Sequence, residues 1–275
     1  MANKISNTEL IQHTTVRLEC LLVDNSISVG TGFYFAFEKG ENSWDRLTII
    51  TNKHVVKDSQ NLTIYLTPFD TDKLPNYTAN FSATLNLSEK DWIFHPDDKI
   101  DLCILPFSKF YDSLVSDKGD FFIYAYNKEY LADNDKLENL SAIETITMIG
   151  YPNGIWDKTN NIPVIRQGTT ASHPKLNYNG KPEILIDCSC FPGSSGSPIL
   201  IFNHGGHTTK EGHFDMQGRL ILLGILYAGP QYEINGEIVS VPIATLPNLY
   251  TSTKVQLNLG YVIKSEKILD FDKMF

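Results

Sequence analysis

The chain has few cysteines, no long apolar run and no excess of basic residues, and each shortage removes a class of protein. No hydrophobic stretch approaches the ~20 residues needed to span a bilayer. Met1 to Glu9 has no hydrophobic core of a secretory leader, so the chain reads as cytoplasmic, with no membrane partner. Lys and Arg number 23 against 32 Asp and Glu, a formal net charge of −9; with no basic run, that balance argues against nucleic acid and anionic lipid. Of the four cysteines, Cys20 and Cys103 fall in strand-like runs and Cys188 and Cys190 are one residue apart. In-strand cysteines behave as small hydrophobes, and i, i+2 neighbours reach disulfide geometry with difficulty, so no disulfide framework is expected. His204, His207 and His213 share a Gly- and Thr-containing loop, but their spacing fits no helical or finger-type ligand set. Neither a metal nor a cofactor is expected. Internal repeats and low-complexity linkers are absent as well.

What the chain does contain is short β-like runs divided by turn residues. Val16–Leu21 alternates, Gly30–Phe37 is aromatic and opens on glycines, and Leu47–Thr51, Leu62–Leu66 and Leu102–Leu105 continue the pattern. After a more irregular stretch from about Phe107 to Ser141 it resumes at Ile143–Ile149, Pro163–Thr170, Glu183–Ile186, Ser197–Phe202, Leu220–Tyr227 and Tyr261–Ile263. Many short strands with few helical periods predict an all-β sandwich or barrel. One helix is expected at the end, with Ser265 as N-cap and Ile268, Leu269 and Phe271 as its apolar stripe.

Three motifs carry chemistry. Pro192-Gly193-Ser194-Ser195-Gly196-Ser197-Pro198 is a serine pair in a glycine turn; Thr51-Asn52-Lys53-His54-Val55-Val56 places a histidine just after a hydrophobic run; Asp101 opens Leu102-Cys103-Ile104-Leu105. A serine hydroxyl is nearly inert at neutral pH and needs both a base and a site for the negative charge that develops on an attacked carbonyl. His54 is the candidate base, and Asp101 the carboxylate that would hold its second ring nitrogen. Ser194 and Ser195 compete as nucleophile, and the Gly-Ser-Pro that follows favours Ser195. Gly193 and Gly196 permit a sharp turn in which the N–H groups of Gly193 and Ser195 converge as an oxyanion hole. The order His, Asp, Ser, with roughly fifty and then roughly a hundred residues between members, is one of several that a triad can take.

These residues resemble the trypsin/chymotrypsin superfamily, most closely its bacterial trypsin-like peptidases related to the HtrA protease core. Gly30-Thr31-Gly32-Phe33 is similar to that group's GSGF strand, residues 51–56 to TNxHVV, residues 101–105 to DLAVL, Gly150-Tyr151-Pro152 to GxP, and residues 192–198 to PGNSGGP; Asn258–Ile263 resembles the last barrel strand. The resemblance implies two antiparallel Greek-key β-barrels with a C-terminal helix. The first, about 1–130, would carry His54 and Asp101, and the second, about 131–275, would carry Ser195 and an insertion at about 230–257. It also implies a serine endopeptidase acting on protein or peptide substrates through an acyl-enzyme. By the same resemblance, Ser189, Tyr227, Gly229 and Gly260 line the substrate site. Ser189 stands at the position that sets charge preference, and Gly229 and Gly260 leave the walls open, so an uncharged, apolar or aromatic side chain is expected there.

The departures are informative. Ser194 replaces the aspartate that zymogen-activated members pair with a new N-terminus, so activation by N-terminal cleavage is not expected. Ser197 stands where glycine is usual, and no PDZ domain fits within the chain. Restraint by a regulatory protein partner is the expected alternative. Two other functions compete: a catalytically idle protease-fold module that binds peptides, and an esterase of the α/β-hydrolase class. The esterase needs Gly-x-Ser-x-Gly and serine before histidine; Ser197 and the chain order both exclude it.

Overall fold

The computed structural model describes residues 5–37, 46–238 and 249–274. A helical turn, α1 (Asn7–Leu10), starts with a capping box in which Ser6 and Glu9 satisfy each other's backbone N–H. A 3-10 turn, Ile11–Thr14, follows and leads into β1 (Thr15–Leu22) and β2 (Ile27–Ala36). Then come β3 (Leu47–Thr51), the single turn α2 (Lys53–Val56), β4 (Ser59–Leu66), β5 (Phe81–Leu85), β6 (Ile93–Phe94) and β7 (Cys103–Pro106). These seven strands form one antiparallel sheet in the order β5-β4-β1-β2-β3-β7-β6, which stays open between β5 and β6. Alternation sets its inner face: Leu62, Ile64 and Leu66 of β4 are buried, and they join Leu18, Ile49, Leu105 and Phe107 in one core cluster.

Two helices, α3 (Ser108–Lys118) and α4 (Asn134–Glu138), occupy the stretch without strand periodicity. The second set of strands is β8 (Thr145–Gly150), β9 (Val164–Thr170), β10 (Glu183–Asp187), β11 (Pro198–Asn203), the two-residue pair β12 (His207–Thr208) and β13 (Phe214–Asp215), β14 (Arg219–Ala228), β15 (Gln231–Ile238), β16 (Leu249–Gln256) and β17 (Leu259–Lys264). Six of them close into a barrel, β10-β17-β14-β11-β8-β9. Another apolar cluster joins the two sheets: Phe33, Ile50, Leu102 and Ile104 from the first meet Leu200, Leu222, Ile225 and Ile263 from the second. The architecture is thus mostly β, with antiparallel sheets and a closed barrel, in keeping with a chymotrypsin-like fold; the ladder of the first sheet does not close.

The expected C-terminal helix is present, as a 3-10 segment, Ser265–Met274. Its three-residue period buries Ile268 and Phe271 completely and turns Leu269 outward, 44% exposed. Ser265 does not cap it; its hydroxyl accepts the Ala132 N–H at 3.1 Å. Cys188 and Cys190 lie beyond the end of β10, and all four cysteines are buried free thiols. The stretch at 230–257 contains the antiparallel hairpin β15–β16, in register from Gln231↔Gln256 to Ile238↔Leu249; residues 239–248 lie outside the described residues.

His13, 5% exposed, packs edge-on against Phe122 and lies 3.4 Å from the Tyr77 hydroxyl. Burial lowers its pKa to about 4, opposed weakly by Glu9. An unfolded histidine titrates near 6.5, so between about 6.5 and 4 the unfolded state binds the extra proton and stability falls as pH falls. We predict a loss of up to about 3 kcal/mol across that window, absent in His13→Gln. Denaturant unfolding of both proteins at pH 7 and 4.5 measures it; equal losses would refute the assignment.

Candidate active site

The histidine is placed by the end of β3. Asn52 ends the extended run, and α2 starts at once, lifting His54 to the surface with its side chain 48% exposed. Val55 and Val56 pack inward and anchor the turn. Asp101 precedes β7, which pairs with β3 so that Thr51 faces Cys103. That register brings the two chemistry-bearing residues together. His54 Nδ1 lies 2.5 Å from Asp101 Oδ2, and the His54 backbone N–H donates to Asp101 Oδ1 at 3.2 Å. The Asn52 side-chain amide donates to the Asp101 carbonyl at 2.7 Å and fixes the loop. Asp101 keeps 25% of its side chain accessible, so it is screened from water only in part.

Ser195 comes from the turn before β11, and Thr31 of β2 ties that turn to the first sheet. The Thr31 N–H donates to the Ser195 carbonyl at 2.9 Å. Its hydroxyl donates to the Gly193 carbonyl at 3.0 Å and accepts the Tyr151 N–H at 3.1 Å. Its carbonyl accepts the Thr51 hydroxyl at 2.8 Å, three residues before His54. One threonine therefore sets the serine turn against the strand that presents the histidine. Among the described residues, no hydrogen bond joins His54 to the Ser195 hydroxyl; catalytic contacts of this kind are often long before substrate tightens them.

The turn has the shape an anion site needs. Gly193 and Gly196 have φ of +83° and +85°, conformations that L side chains rarely adopt. The Pro192 carbonyl accepts the Asn153 N–H at 2.5 Å. In a trans peptide C=O and N–H point opposite ways, so the Gly193 N–H is directed away from Asn153. Among the described residues, neither Gly193 N–H nor Ser195 N–H has an acceptor, while Ser194 N–H and Gly196 N–H are used by Phe191 and Leu226 carbonyls at 3.0 and 2.8 Å. Ser194, the rival nucleophile, is fully buried and accepts a hydrogen bond at 2.9 Å from Arg166 Nη2.

A cleft of about 130 Å³ opens beside Ser195, lined by Cys190, Phe191, Pro192, Leu226, Ala228 and Gly229. Gly229 is thus at the cleft, whereas Ser189 is not among its lining residues; the Ser189 carbonyl instead accepts a hydrogen bond from Arg166 Nη1. The wall at Gly260 is not open. A Cβ there would lie 2.7 Å from both Cys190 Sγ and Leu226 Cδ1, so neighbouring side chains already fill the space. Tyr227 donates its hydroxyl to Glu183 Oε1 at 2.9 Å and is not among the residues that line the cleft. Sequence reasoning missed Arg166 as a component of this site, because Arg166 interrupts an alternating strand in the way any solvent-facing charge does.

No curated protein sequence matches this chain. Among solved structures it is similar to an HtrA-type protease, AlgW, with a tripeptide: 13% identity, TM-score 0.48, covering 95% of this chain and 60% of that chain. It is similar also to the Rv3671c protease of M. tuberculosis H37Rv in an inactive form, at 16% identity and TM-score 0.43, covering 95% of this chain and 89% of that one. The chain spans about three-fifths of the AlgW chain. A family model described as the trypsin-like peptidase domain matches residues 30–207, well over half of the length. With its mostly β architecture and its serine, histidine and aspartate motifs inside or beside that match, the chain belongs to the trypsin-like peptidase family.

Proposed function

We propose that this chain is a serine endopeptidase in which Ser195 is the nucleophile, His54 the general base and Asp101 the residue that orients the imidazole. The observation that carries the reading is the 2.5 Å contact between His54 Nδ1 and Asp101 Oδ2, which leaves Nε2 as the ring nitrogen free to accept a proton. On substrate binding, Ser195 Oγ attacks the scissile carbonyl and its proton passes to His54 Nε2. The carbonyl π electrons move onto oxygen, where the Gly193 and Ser195 N–H groups receive them. Collapse expels the amine with the proton from His54, and water repeats the sequence to release the acid.

The substrate is expected to add as a strand along β14. The last β11–β14 pair is Pro198↔Ile225, and Leu226 bonds the Gly196 and Ser197 backbones; the edge at Tyr227 and beyond is therefore open on the cleft side. A cleft of about 130 Å³ with Cys190, Phe191 and Leu226 in its wall and, among the described residues, no charged side chain lining it suits an uncharged apolar residue on the acyl side of the cut bond. Cleavage of a peptide library should show apolar residues enriched at that position; strong Lys or Arg selection would sink this assignment.

A second reading, a module that binds peptides without cutting them, is favoured by the lack of a hydrogen bond between His54 and Ser195 among the described residues. Covalent labelling with a fluorophosphonate separates the two. The peptidase reading predicts labelling that vanishes in Ser195→Ala; labelling that survives that substitution would refute it. A folded wild-type protein that binds peptide but resists labelling would establish the module instead.

A further inference from the structure

Arg166 lies on β9, where its neighbours Gln167 and Thr169 are exposed, yet its own guanidinium runs inward behind the nucleophile turn. Its two terminal nitrogens reach opposite ends of one loop: Nη1 donates to the Ser189 carbonyl, and Nη2 donates to the Ser194 hydroxyl at 2.9 Å. Ser194 is completely buried, and the Arg166 Nε is buried with no partner among the described residues. Among the described residues no carboxylate pairs with the guanidinium either; the titratable groups that act on it are the thiols of Cys188 and Cys190. A half-satisfied cation among buried thiols is a poor stabilising device, because desolvating it costs more than two neutral acceptors return.

The arrangement makes sense as a brace. Resting on the serine-peptidase reading above, we propose that Arg166 is a positioning residue that holds residues 189–195 in the conformation in which the Gly193 and Ser195 N–H groups face the cleft. The planar fork fixes two points five residues apart, which a lysine's single ammonium cannot do. One end of the brace is the position where Ser194 replaces the aspartate of zymogen-activated relatives. The other carbonyls of the turn are held by the first sheet and by the turn after β8: Pro192 by Asn153, and Gly193 and Ser195 by Thr31. With Arg166 present, no chain cleavage is needed to order the turn, and the cation that does so is carried on a barrel strand.

The test is steady-state kinetics of the full chain on a peptide substrate, together with affinity for a peptide boronate. Arg166→Ala should lower kcat on the order of 10²-fold, the scale of one lost oxyanion donor, with KM changed less than about threefold. Boronate affinity should fall in parallel with kcat. Added methylguanidinium should restore at least about tenfold in Arg166→Ala and do nothing for wild type, and Arg166→Lys should recover little. A purely structural role would lower the amount of active protein without changing kcat per labelled site and would show no such rescue; that result would overturn the inference. Should Arg166→Ala fail to fold, Ser194→Ala removes one end of the brace with a smaller change, and unaltered kcat there would overturn it equally. Failure of the serine-peptidase reading would be evident separately, because wild type itself would then neither hydrolyse the peptide nor take up the fluorophosphonate.

Discussion

Asp101→Asn is expected to lower kcat by about 10⁴-fold while leaving the fold intact. In the native site the carboxylate accepts twice from His54: from the ring at Nδ1, 2.5 Å away, and from the backbone N–H, 3.2 Å away. An asparagine can keep only one acceptor oxygen. If that oxygen stays with the backbone N–H, its amide NH₂ faces Nδ1 and demands a lone pair there, moving the ring proton to Nε2. A histidine in that tautomer cannot accept the Ser195 proton, so geometry survives and chemistry does not. The side chain is one-quarter exposed, which keeps the cost to folding small. Single-turnover hydrolysis and fluorophosphonate labelling rates, with thermal unfolding alongside, measure it. Activity within tenfold of wild type would mean that the pair does not serve the serine.

Gly196→Ala is expected to abolish hydrolysis and to lower stability by roughly 3–5 kcal/mol. The added methyl carbon would fall 1.9 Å from the Thr31 carbonyl oxygen and 2.6 Å from Thr51 Oγ1, both closer than real contacts permit. Backbone φ at +85° adds strain of its own for any residue with a Cβ. Relief would require the serine turn to part from β2, and the same movement would break the Thr31 N–H bond to the Ser195 carbonyl and the Thr31 hydroxyl bond to the Gly193 carbonyl. Those bonds set the Ser195 turn against the sheet that carries His54, so stability and activity should fail together. Denaturant unfolding and kcat decide the matter; a variant with wild-type turnover would show that the two sheets are aligned by something else.

Much of this was legible along the chain. The chemistry-bearing residues stand in short motifs because each needs a local backbone shape: a glycine turn for Ser195, a strand end for His54, a strand start for Asp101. Most strands were legible too, since one buried face imposes alternation, as Leu62, Ile64 and Leu66 show. Helix α3 was legible and was missed. Phe107, Phe110, Tyr111, Leu114 and Val115 recur at i, i+3, i+4, i+7 and i+8 and all pack on the first core, but their aromatic composition resembles a strand. The terminal segment was read as helical, yet its period, three rather than 3.6 residues, depends on what Ile268 and Phe271 pack against.

By itself the sequence determined the residue types, their order and the local turns, because those depend on neighbours a few positions away. Only the tertiary structure decided that Thr31 is the joint between the sheets, that Arg166 turns inward beneath Ser194, and that Cys190 and Leu226 fill the space beside Gly260. Each of those depends on which distant strand arrives beside it and in what register, and a side chain's role then follows from partners 20 to more than 160 residues away.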